Sequence, residues 1–150
     1  MKNRFETFTV LIAKISRNIR KIKNQEMAAY NLRSSHISCL YYLYSFNGLT
    51  ATDLCERCEE DKATISRSLG YLENNGYITC DSKSAKRYKS PLALTGKGKE
   101  AGKKIADKID LALDEISTAL TEEERIAFYR SLKMISDGLE AISNRLDRKG

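Results

Sequence analysis

Residues 54–78 decide the fold, and they read LCERCEEDKATISRSLGYLENNGYI. Within this stretch, Asp61 precedes three apolar residues at helical spacing, namely Ile65, Leu69 and Leu72. Aspartate favours the N-cap because its carboxylate accepts unpaired N–H groups of the first turn. The pair Asn75-Gly76 tolerates the left-handed backbone that ends helices. The stretch therefore predicts a helix from Lys62 to about Asn74.

The opposite face of this helix carries small or hydrogen-bonding side chains and two cations. It is formed by Lys62, Ala63, Ser66, Arg67 and Gly70. A helix face that meets only solvent usually carries pairs of glutamate and lysine instead. This thin, polar and positive face therefore favours close approach to another polar molecule.

The residues before this helix predict two more helices. The first is capped by Ser34 or Ser35 and runs to about residue 46. The second is short, is capped by Thr50 or Thr52, and covers about 53–59. Two helices followed by the helix from Lys62 give the order of a helix-turn-helix.

The residues after it predict a β-hairpin. Residues 77–80 are rich in β-branched and aromatic side chains, which favour a strand. Residues 87–94 return as a second strand, in which Pro91 is restricted to an edge or an irregular stretch. The polar turn between them places basic residues at the tip. Helices and hairpin together predict a winged-helix lobe over residues 32–95, with the wing at about 77–95.

Residues 1–31 and 96–150 predict long helices with narrow apolar seams. The seams are Phe5, Phe8, Ile12, Ile15, Ile19 and Ile22; then Ile105, Ile109, Ala112, Ile116 and Leu120; then Leu132, Ile135, Leu139, Ile142 and Leu146. Thr121 and Glu124 have the spacing of a capping box at the start of the last helix. The middle lobe is too small to cover every seam, so we expect a second copy to cover them. Both segments are thus predicted to form a helical dimerisation region.

Length and composition limit the class of protein. The chain has 150 residues, which favours a single domain over 1–150, and its 41% hydrophobic residues are too many for a disordered chain. No apolar run approaches the roughly 20 residues of a membrane span, and the amphipathic start is unlike a signal peptide. Four cysteines are too few for a secreted disulfide scaffold. We expect a cytoplasmic protein with reduced thiols and no membrane association.

The positive charge is concentrated in two segments. Residues 1–25 and 81–104 each carry a net charge of +6, whereas 26–80 and 105–150 each carry −3. A concentrated basic segment is typical of proteins that bind phosphate groups. An ordinary solvated basic loop has the same composition, so charge alone does not assign the function.

Three stretches resemble the MarR family of bacterial transcription regulators. Residues 54–78 are similar to its helix-turn-helix, and Lys86-Arg87-Tyr88 through Leu94-Thr95-x-x-Gly98 to its wing. Residues 120–125 are similar to the start of its last dimer helix. The resemblance implies a mainly α fold with a small β-hairpin wing, in which a winged helix-turn-helix DNA-binding lobe joins a helical dimerisation region. The chain departs from the family at Lys86, which replaces a wing Asp, and at Glu59, which replaces a turn Gly.

The resemblance also implies a function and its residues. It implies a homodimer that binds double-stranded DNA at a near-palindromic operator, acting as a ligand-responsive repressor. At base edges and adjacent phosphates we expect Lys62, Ala63, Thr64, Ser66 and Arg67, with Arg67 on a guanine and Ala63 on a thymine methyl. Arg87 is expected in the minor groove. Lys83, Lys86 and Lys89 are expected on phosphates.

The motif Cys55-x-x-Cys58 leaves a second hypothesis open, a thiol- or metal-responsive sensor whose output is DNA binding. Zinc needs three or four ligands, and only His36, Cys39 and Cys80 are available to join the pair. The family has inward-facing Ala and Leu at the two motif positions, so small core residues are the simpler interpretation. A third hypothesis is a basic helical protein whose seams bind another helix.

The remaining candidates carry little chemistry. Tyr30, Tyr41, Tyr42 and Tyr44 lie near the junction where the family binds a small aromatic effector, although an aromatic core is the simpler interpretation. His36, the only histidine, is expected at the surface or as a helix cap. A single histidine leaves no Ser/His/Asp set, and residues 96–104 lack the spacing of a phosphate loop. We therefore expect no enzyme, no cofactor and no metal.

Overall fold

The computed structural model describes residues 2–25, 27–80 and 89–148, with side chains from residue 7 onward. The elements in chain order are α1 (Lys2–Gln25), a short 3-10 helix (Ala28–Tyr30), α2 (Ser34–Ser45), α3 (Ala51–Cys58), α4 (Lys62–Asn74), β1 (Ile78–Cys80), β2 (Leu92–Leu94), α5 (Gly96–Ser117) and α6 (Glu122–Asp147). The predicted fold class, mainly helical with a small hairpin, is confirmed. The chain divides into two compact units, Met1–Asp110 and Leu111–Gly150.

The core of the first unit lies where α2, α3 and α4 pack together. Leu40, Leu54, Ile65 and Leu72 are fully buried there, and α5 adds Ile105. Burying a side chain of this size stabilises the folded state by roughly 1.5–3 kcal/mol. This shared core fixes α4 on its apolar side and leaves its other side outward.

Side-chain caps define where the helices of the lobe begin. Asp61 caps α4 and Thr50 caps α3, as the sequence predicts. The prediction that Ser34 or Ser35 caps α2 is wrong, because both serines lie inside the helix and Arg33 is the N-cap residue. The N–H of Arg33 instead donates to Nδ1 of His36, at 3.0 Å.

The turn between α3 and α4 contains a residue in the left-handed region. Glu59 follows the last residue of α3 and has φ +53°. A side chain in this conformation brings its Cβ close to the following carbonyl, which costs roughly 1–2 kcal/mol. The departure from glycine noted in the sequence therefore falls at a position whose backbone favours glycine.

The hairpin is shorter than the sequence predicts in the part that the structure describes. β1 and β2 pair antiparallel, with Ile78 opposite Leu94 and Cys80 opposite Leu92. The second strand begins at Leu92, directly after Pro91, whose lack of an N–H removes it from the ladder. The N–H of Leu92 also donates to the carbonyl of Leu49 at 2.9 Å, which joins the hairpin to the segment before α3.

Thr95 joins three elements at the base of the hairpin. Its hydroxyl donates toward the carbonyls of Gly76 (2.6 Å) and Tyr77 (3.1 Å), and it accepts from the N–H of Gly98 at 3.1 Å. The N–H of Tyr77 in turn donates to the carbonyl of Leu72 in α4, at 2.8 Å. The end of α4, the start of the hairpin and the start of α5 therefore meet at one hydrogen-bonded point, which we call the Thr95 junction.

Two glycines allow α5 to approach its neighbours closely. A Cβ on Gly98 would collide with the backbone carbonyl of Tyr77. A Cβ on Gly102 would lie 2.6 Å from Cβ of Tyr44 and 3.2 Å from the carbonyl oxygen of Leu40, both in α2. Both contacts are tighter than ordinary side-chain packing allows, so these positions require glycine.

The second unit contains the end of α5 and all of α6. Thr121 and Glu124 form the predicted capping box, with the N–H of Glu124 donating to the Thr121 hydroxyl at 3.2 Å. No residue of α6 is buried, and its large apolar side chains other than the half-buried Leu132 are between 40% and 67% exposed. In the first unit, Val10, Leu11 and Ile15 of α1 are likewise exposed. Within the described residues, no helix combines the length and apolarity needed to cross a membrane.

Candidate nucleic-acid interface

A chain of hydrogen bonds along the first turns of α4 orients its outward side chains. The carboxylate of Asp61 accepts from the N–H of Thr64 at 2.7 Å and from its hydroxyl at 3.1 Å. These hydrogen bonds, the backbone one above all, hold the pKa of Asp61 below its ordinary value. Arg67 then donates from Nη2 to the Thr64 hydroxyl at 3.2 Å. The guanidinium is therefore held on the helix surface one turn above the cap.

The structure brings the five predicted residues of α4 together at the outward face. Lys62, Ala63, Ser66 and Arg67 are exposed, and Thr64 is half-buried beneath them. Ile65, Ser68 and Leu72 are buried on the other side. The helix therefore presents small and cationic side chains outward, and we call this surface the α4 face.

A polar cleft of about 520 Å³ continues the α4 face towards the start of α2. It is lined by Asn31, Arg33, Ser35, His36, Thr64, Arg67, Ser68 and Tyr71. Sequence analysis did not place in this site the two cleft residues at the start of α2, the N-cap Arg33 and Ser35. The only sequence feature that could have indicated them is their location at a helix start, where free N–H groups favour anions. Two guanidinium groups, those of Arg33 and Arg67, line one cleft beside that helix start.

Long-range contacts fix the floor of this cleft. The hydroxyl of Ser68 donates to that of Ser35 at 2.8 Å, which joins α4 to α2. The Tyr71 ring stacks on the His36 ring with centroids 4.3 Å apart, and its hydroxyl donates to the carbonyl of Asn31 at 3.0 Å. These contacts hold the start of α2 and the middle of α4 in one fixed arrangement.

His36 is a cap but not a surface residue. Its ring is buried and Nδ1 accepts the N–H of Arg33, so the expectation of a cap is confirmed and that of a surface residue is wrong. Burial, and next the charge of Arg33, lowers the pKa of His36. The neutral ring is therefore the form that caps α2.

Most of the predicted wing residues lie outside the part that the structure describes. Lys83, Lys86 and Arg87 fall within residues 81–88, which are not described, and their roles stay predictions. Lys89 is described and is exposed. The hairpin and the Thr95 junction place the base of the wing beside the end of α4.

The tyrosines do not form one cluster. Tyr41 and Tyr42 pack edge to face with centroids 5.3 Å apart, and Tyr42 lies 6.3 Å from Phe46. Tyr30 and Tyr44 are exposed, so the interpretation of all four as an aromatic core is wrong for these two. The ammonium of Lys23 in α1 lies 5.1 Å from the Tyr41 ring centroid and 5.8 Å from that of Tyr42. The half-buried tyrosines therefore meet a cation at the junction of α1 and α2.

The four cysteines are free thiols, and Cys39 of α2 is fully buried. A hydrogen bond with Cys39 lowers the pKa of Cys58. Cys55 and Cys58 are both half-buried and pack against the core, in agreement with the simpler interpretation. Among the residues that the structure describes, no three potential metal ligands of the His, Cys, Asp and Glu types come together.

Comparisons with known proteins agree with this geometry. Residues 30–87 match the family model described as MarR family. The chain is 25% identical over 119 residues to the HTH-type transcriptional regulator YwoH of Bacillus subtilis (strain 168), covering 79% of this chain and 86% of that protein.

Solved structures share the fold. A MarR-family transcriptional regulator from Silicibacter pomeroyi superposes with a TM-score of 0.72 at 23% identity, over 83% of this chain and 84% of that one. MepR of S. aureus, in a structure of its complex with DNA, gives a TM-score of 0.71 at 22% identity, over 88% and 97%. At these identities the structural likeness concerns the fold alone.

Proposed function

We propose that this chain is a MarR-family winged-helix transcription regulator and that it acts as a homodimer that recognises a near-palindromic double-stranded DNA operator. The match over residues 30–87 covers the helix-turn-helix and confirms the resemblance seen in the sequence. Membership of a family of regulators is the positive reason to regard the chain as a regulator rather than an enzyme. We further propose that it acts in the cytoplasm as a repressor that a ligand releases.

The α4 face is the observation that carries the proposal. A helix reads the major groove when its outward side chains reach the base edges, and small side chains beside them let the helix fit into the groove. Ala63, Ser66 and Gly70 are small, and Arg67 stands among them with its guanidinium exposed. In this proposal Arg67 binds a guanine, Ala63 meets a thymine methyl, and Lys62, Thr64 and Ser66 contact bases or adjacent phosphates.

Phosphate contacts follow on either side of the α4 face. Arg33 and the start of α2 lie across the polar cleft from Arg67, where a DNA backbone beside the major groove would pass. We add Arg33 to the predicted phosphate contacts Lys83, Lys86 and Lys89, and we keep Arg87 as a minor-groove residue. The MepR structure with this fold contains DNA, which supports the same use of the fold here.

The exposed apolar faces of α1 and α6 support a homodimer. Soluble monomers rarely expose contiguous apolar patches of more than a few hundred Å². On α6 alone, Leu139, Ile142 and Leu146 continue one predicted seam and are 45–66% exposed. A second copy with two-fold symmetry would cover these faces and hold two α4 helices one DNA turn apart, so the operator would be near-palindromic.

A cleft of about 210 Å³ between α1, α2 and α3 suits a small aromatic effector with a negative charge. It is lined by Ser16, Ile19, Arg20, Lys23, Ser38, Tyr42, Arg57, Cys58 and Glu59. Three cations and a half-buried tyrosine favour such a molecule. An effector releases the repressor only if it binds more tightly to the conformation that does not fit DNA. Titration with benzoate tests this, because a true effector lowers duplex affinity whereas an inert ion leaves it unchanged.

Selection of duplexes from a random pool, followed by two substitutions of Arg67, tests the DNA-binding proposal. Arg67→Ala removes both the positive charge and the guanidinium that can donate two parallel hydrogen bonds to a guanine. Arg67→Lys keeps the charge and loses the bidentate geometry. We expect both variants to lose about 5- to 150-fold in preference for the selected duplex over a scrambled one. Arg67→Lys should keep the salt dependence of the wild type. An unchanged preference in both variants, or failure to enrich any sequence, would contradict the proposal.

A further inference from the structure

The Thr64 hydroxyl lies between a carboxylate and a guanidinium at the start of α4. It is 3.1 Å from Oδ2 of Asp61, the N-cap residue, and 3.2 Å from Nη2 of Arg67. Residues three apart on a helix are neighbours on its surface, so the three side chains share one face. Asp61 and Arg67 are exposed and Thr64 is half-buried between them. One neutral side chain therefore connects an anion to the cation of the α4 face.

The chemistry of the three groups fixes the direction of both hydrogen bonds. A carboxylate can only accept hydrogen bonds, and a guanidinium can only donate them. The N–H of Thr64, then its hydroxyl, and next the charge of Arg67 keep the pKa of Asp61 below its ordinary value, so Asp61 is ionised at neutral pH. Thr64 therefore donates its single O–H to Asp61 and accepts from Arg67 with a lone pair of its oxygen.

This direction determines what Thr64 and Arg67 can offer to DNA. A phosphate oxygen only accepts hydrogen bonds, and the O–H of Thr64 is already donated to Asp61. A guanidinium carries five N–H groups, and Thr64 accepts from only one of its nitrogens. An edge with two parallel N–H groups therefore remains on Arg67 for the O6 and N7 acceptors of a guanine.

We propose that Thr64 is a positioning residue that holds Arg67 in the orientation for reading a guanine and thereby sets the preference for the operator. The inference rests on the proposed function, in which Arg67 binds that guanine. An arginine side chain loses rotamer freedom when it is fixed at an interface. Because Thr64 already restricts Arg67 in the free protein, less freedom is lost on binding. The benefit goes to duplexes that present a guanine at this position.

The first test measures the motion of Arg67 in the free, full-length protein. Nitrogen-15 relaxation of its Nε–H group reports side-chain motion on the picosecond to nanosecond timescale. Thr64→Val has a similar shape, lacks the hydroxyl and keeps the N–H that Asp61 caps, so α4 keeps its start. The order parameter of Arg67 should fall in Thr64→Val and stay at the wild-type value in Thr64→Ser, the matched control with a hydroxyl. Equal order parameters in the wild type and Thr64→Val would overturn the proposal.

The second test is a double-mutant cycle on the preference for the selected duplex over a scrambled one. Thr64→Val should lower the preference about 2- to 13-fold, which is the factor expected when one long side chain must be immobilised on binding. The loss should come from the affinity for the selected duplex, and Thr64→Ser should retain the preference. In the Arg67→Ala background Thr64→Val should change nothing further, because Thr64 acts through Arg67.

The outcomes of the cycle separate this inference from the proposed function. If Arg67→Ala keeps the wild-type preference, the proposed function fails and the inference fails with it. If Arg67→Ala loses the preference but Thr64→Val keeps it, only the inference fails. An equal loss of affinity for both duplexes in Thr64→Val would indicate a phosphate contact. A loss of preference that is the same with and without Arg67 would indicate that Thr64 contacts a base itself, and either result overturns the proposal.

Discussion

The close approach of α5 to α2 at Gly102 makes a strong prediction about stability. In Gly102→Ala the new methyl would lie 2.6 Å from Cβ of Tyr44, whereas carbon atoms in contact need about 3.5–4.0 Å. The carbonyl oxygen of Leu40, 3.2 Å away, blocks a small sideways shift. The two helices must therefore move apart by ~1 Å at this point. Overpacking of this kind costs about 1–3 kcal/mol.

A gain in helix propensity partly offsets that cost. Alanine is favoured over glycine inside a helix by about 0.8–1.0 kcal/mol, so the net loss for Gly102→Ala is about 0–2 kcal/mol. Gly70→Ala is the matched control, because nothing lies within 4 Å of a Cβ at Gly70 in α4. That variant should gain about 0.8–1.0 kcal/mol. The same chemical change therefore has opposite signs at the two positions.

Urea unfolding followed by circular dichroism measures both variants. Protein concentration must be fixed throughout, because the stability of a dimer depends on it. We expect the free energies of unfolding of the two variants to differ by about 1–3 kcal/mol, because the gain in helix propensity is common to both and cancels. If Gly102→Ala is as stable as Gly70→Ala, the close contact between α2 and α5 does not exist and the reasoning is refuted.

Three further predictions follow from single residues. Glu59→Gly should raise stability by about 0.5–1 kcal/mol, because removing the left-handed strain of a side chain outweighs the stability lost to the greater backbone entropy of the unfolded state. Glu59→Ala is the control and should show no such gain in urea midpoint. The lowered pKa of His36 means that the unfolded chain takes up the proton first, so stability should fall as pH drops below about 6.5. In His36→Gln this part of the pH dependence should be missing, and an equal slope would count against the cap. Lys89→Ala should lower the slope of log affinity against log salt by about 1 for selected and scrambled duplexes alike, and a loss confined to the selected duplex would speak against a phosphate contact.

Local signals explain what the sequence predicted well. The bounds of α4 follow from Asp61 at one end and Asn75-Gly76 at the other, and the structure agrees with both. The outward residues of α4 follow from helical spacing once its buried side is known. Caps and helical faces involve residues three or four apart, so one sequence contains all the information they need.

Contacts between distant residues explain what the sequence did not predict. Ser35 meets Ser68 across 33 residues and Asn31 meets Tyr71 across 40, and these contacts form the cleft beside the α4 face. The motif Cys55-x-x-Cys58 drew attention to two residues on one helix, and both pack against the core that residues of other helices complete. The N-cap of α2 was predicted at Ser34 or Ser35 but is Arg33, whose N–H donates to Nδ1 of His36.

The Thr95 junction has a mechanical consequence. The Thr95 hydroxyl hydrogen-bonds with the carbonyls of Gly76 and Tyr77 and with the N–H of Gly98. These bonds restrict the movement of the start of α5 relative to the end of α4. A movement of α5 would therefore shift the base of the wing and the end of α4 together. A molecule that tilts α5 would change the position of α4 without contacting α4.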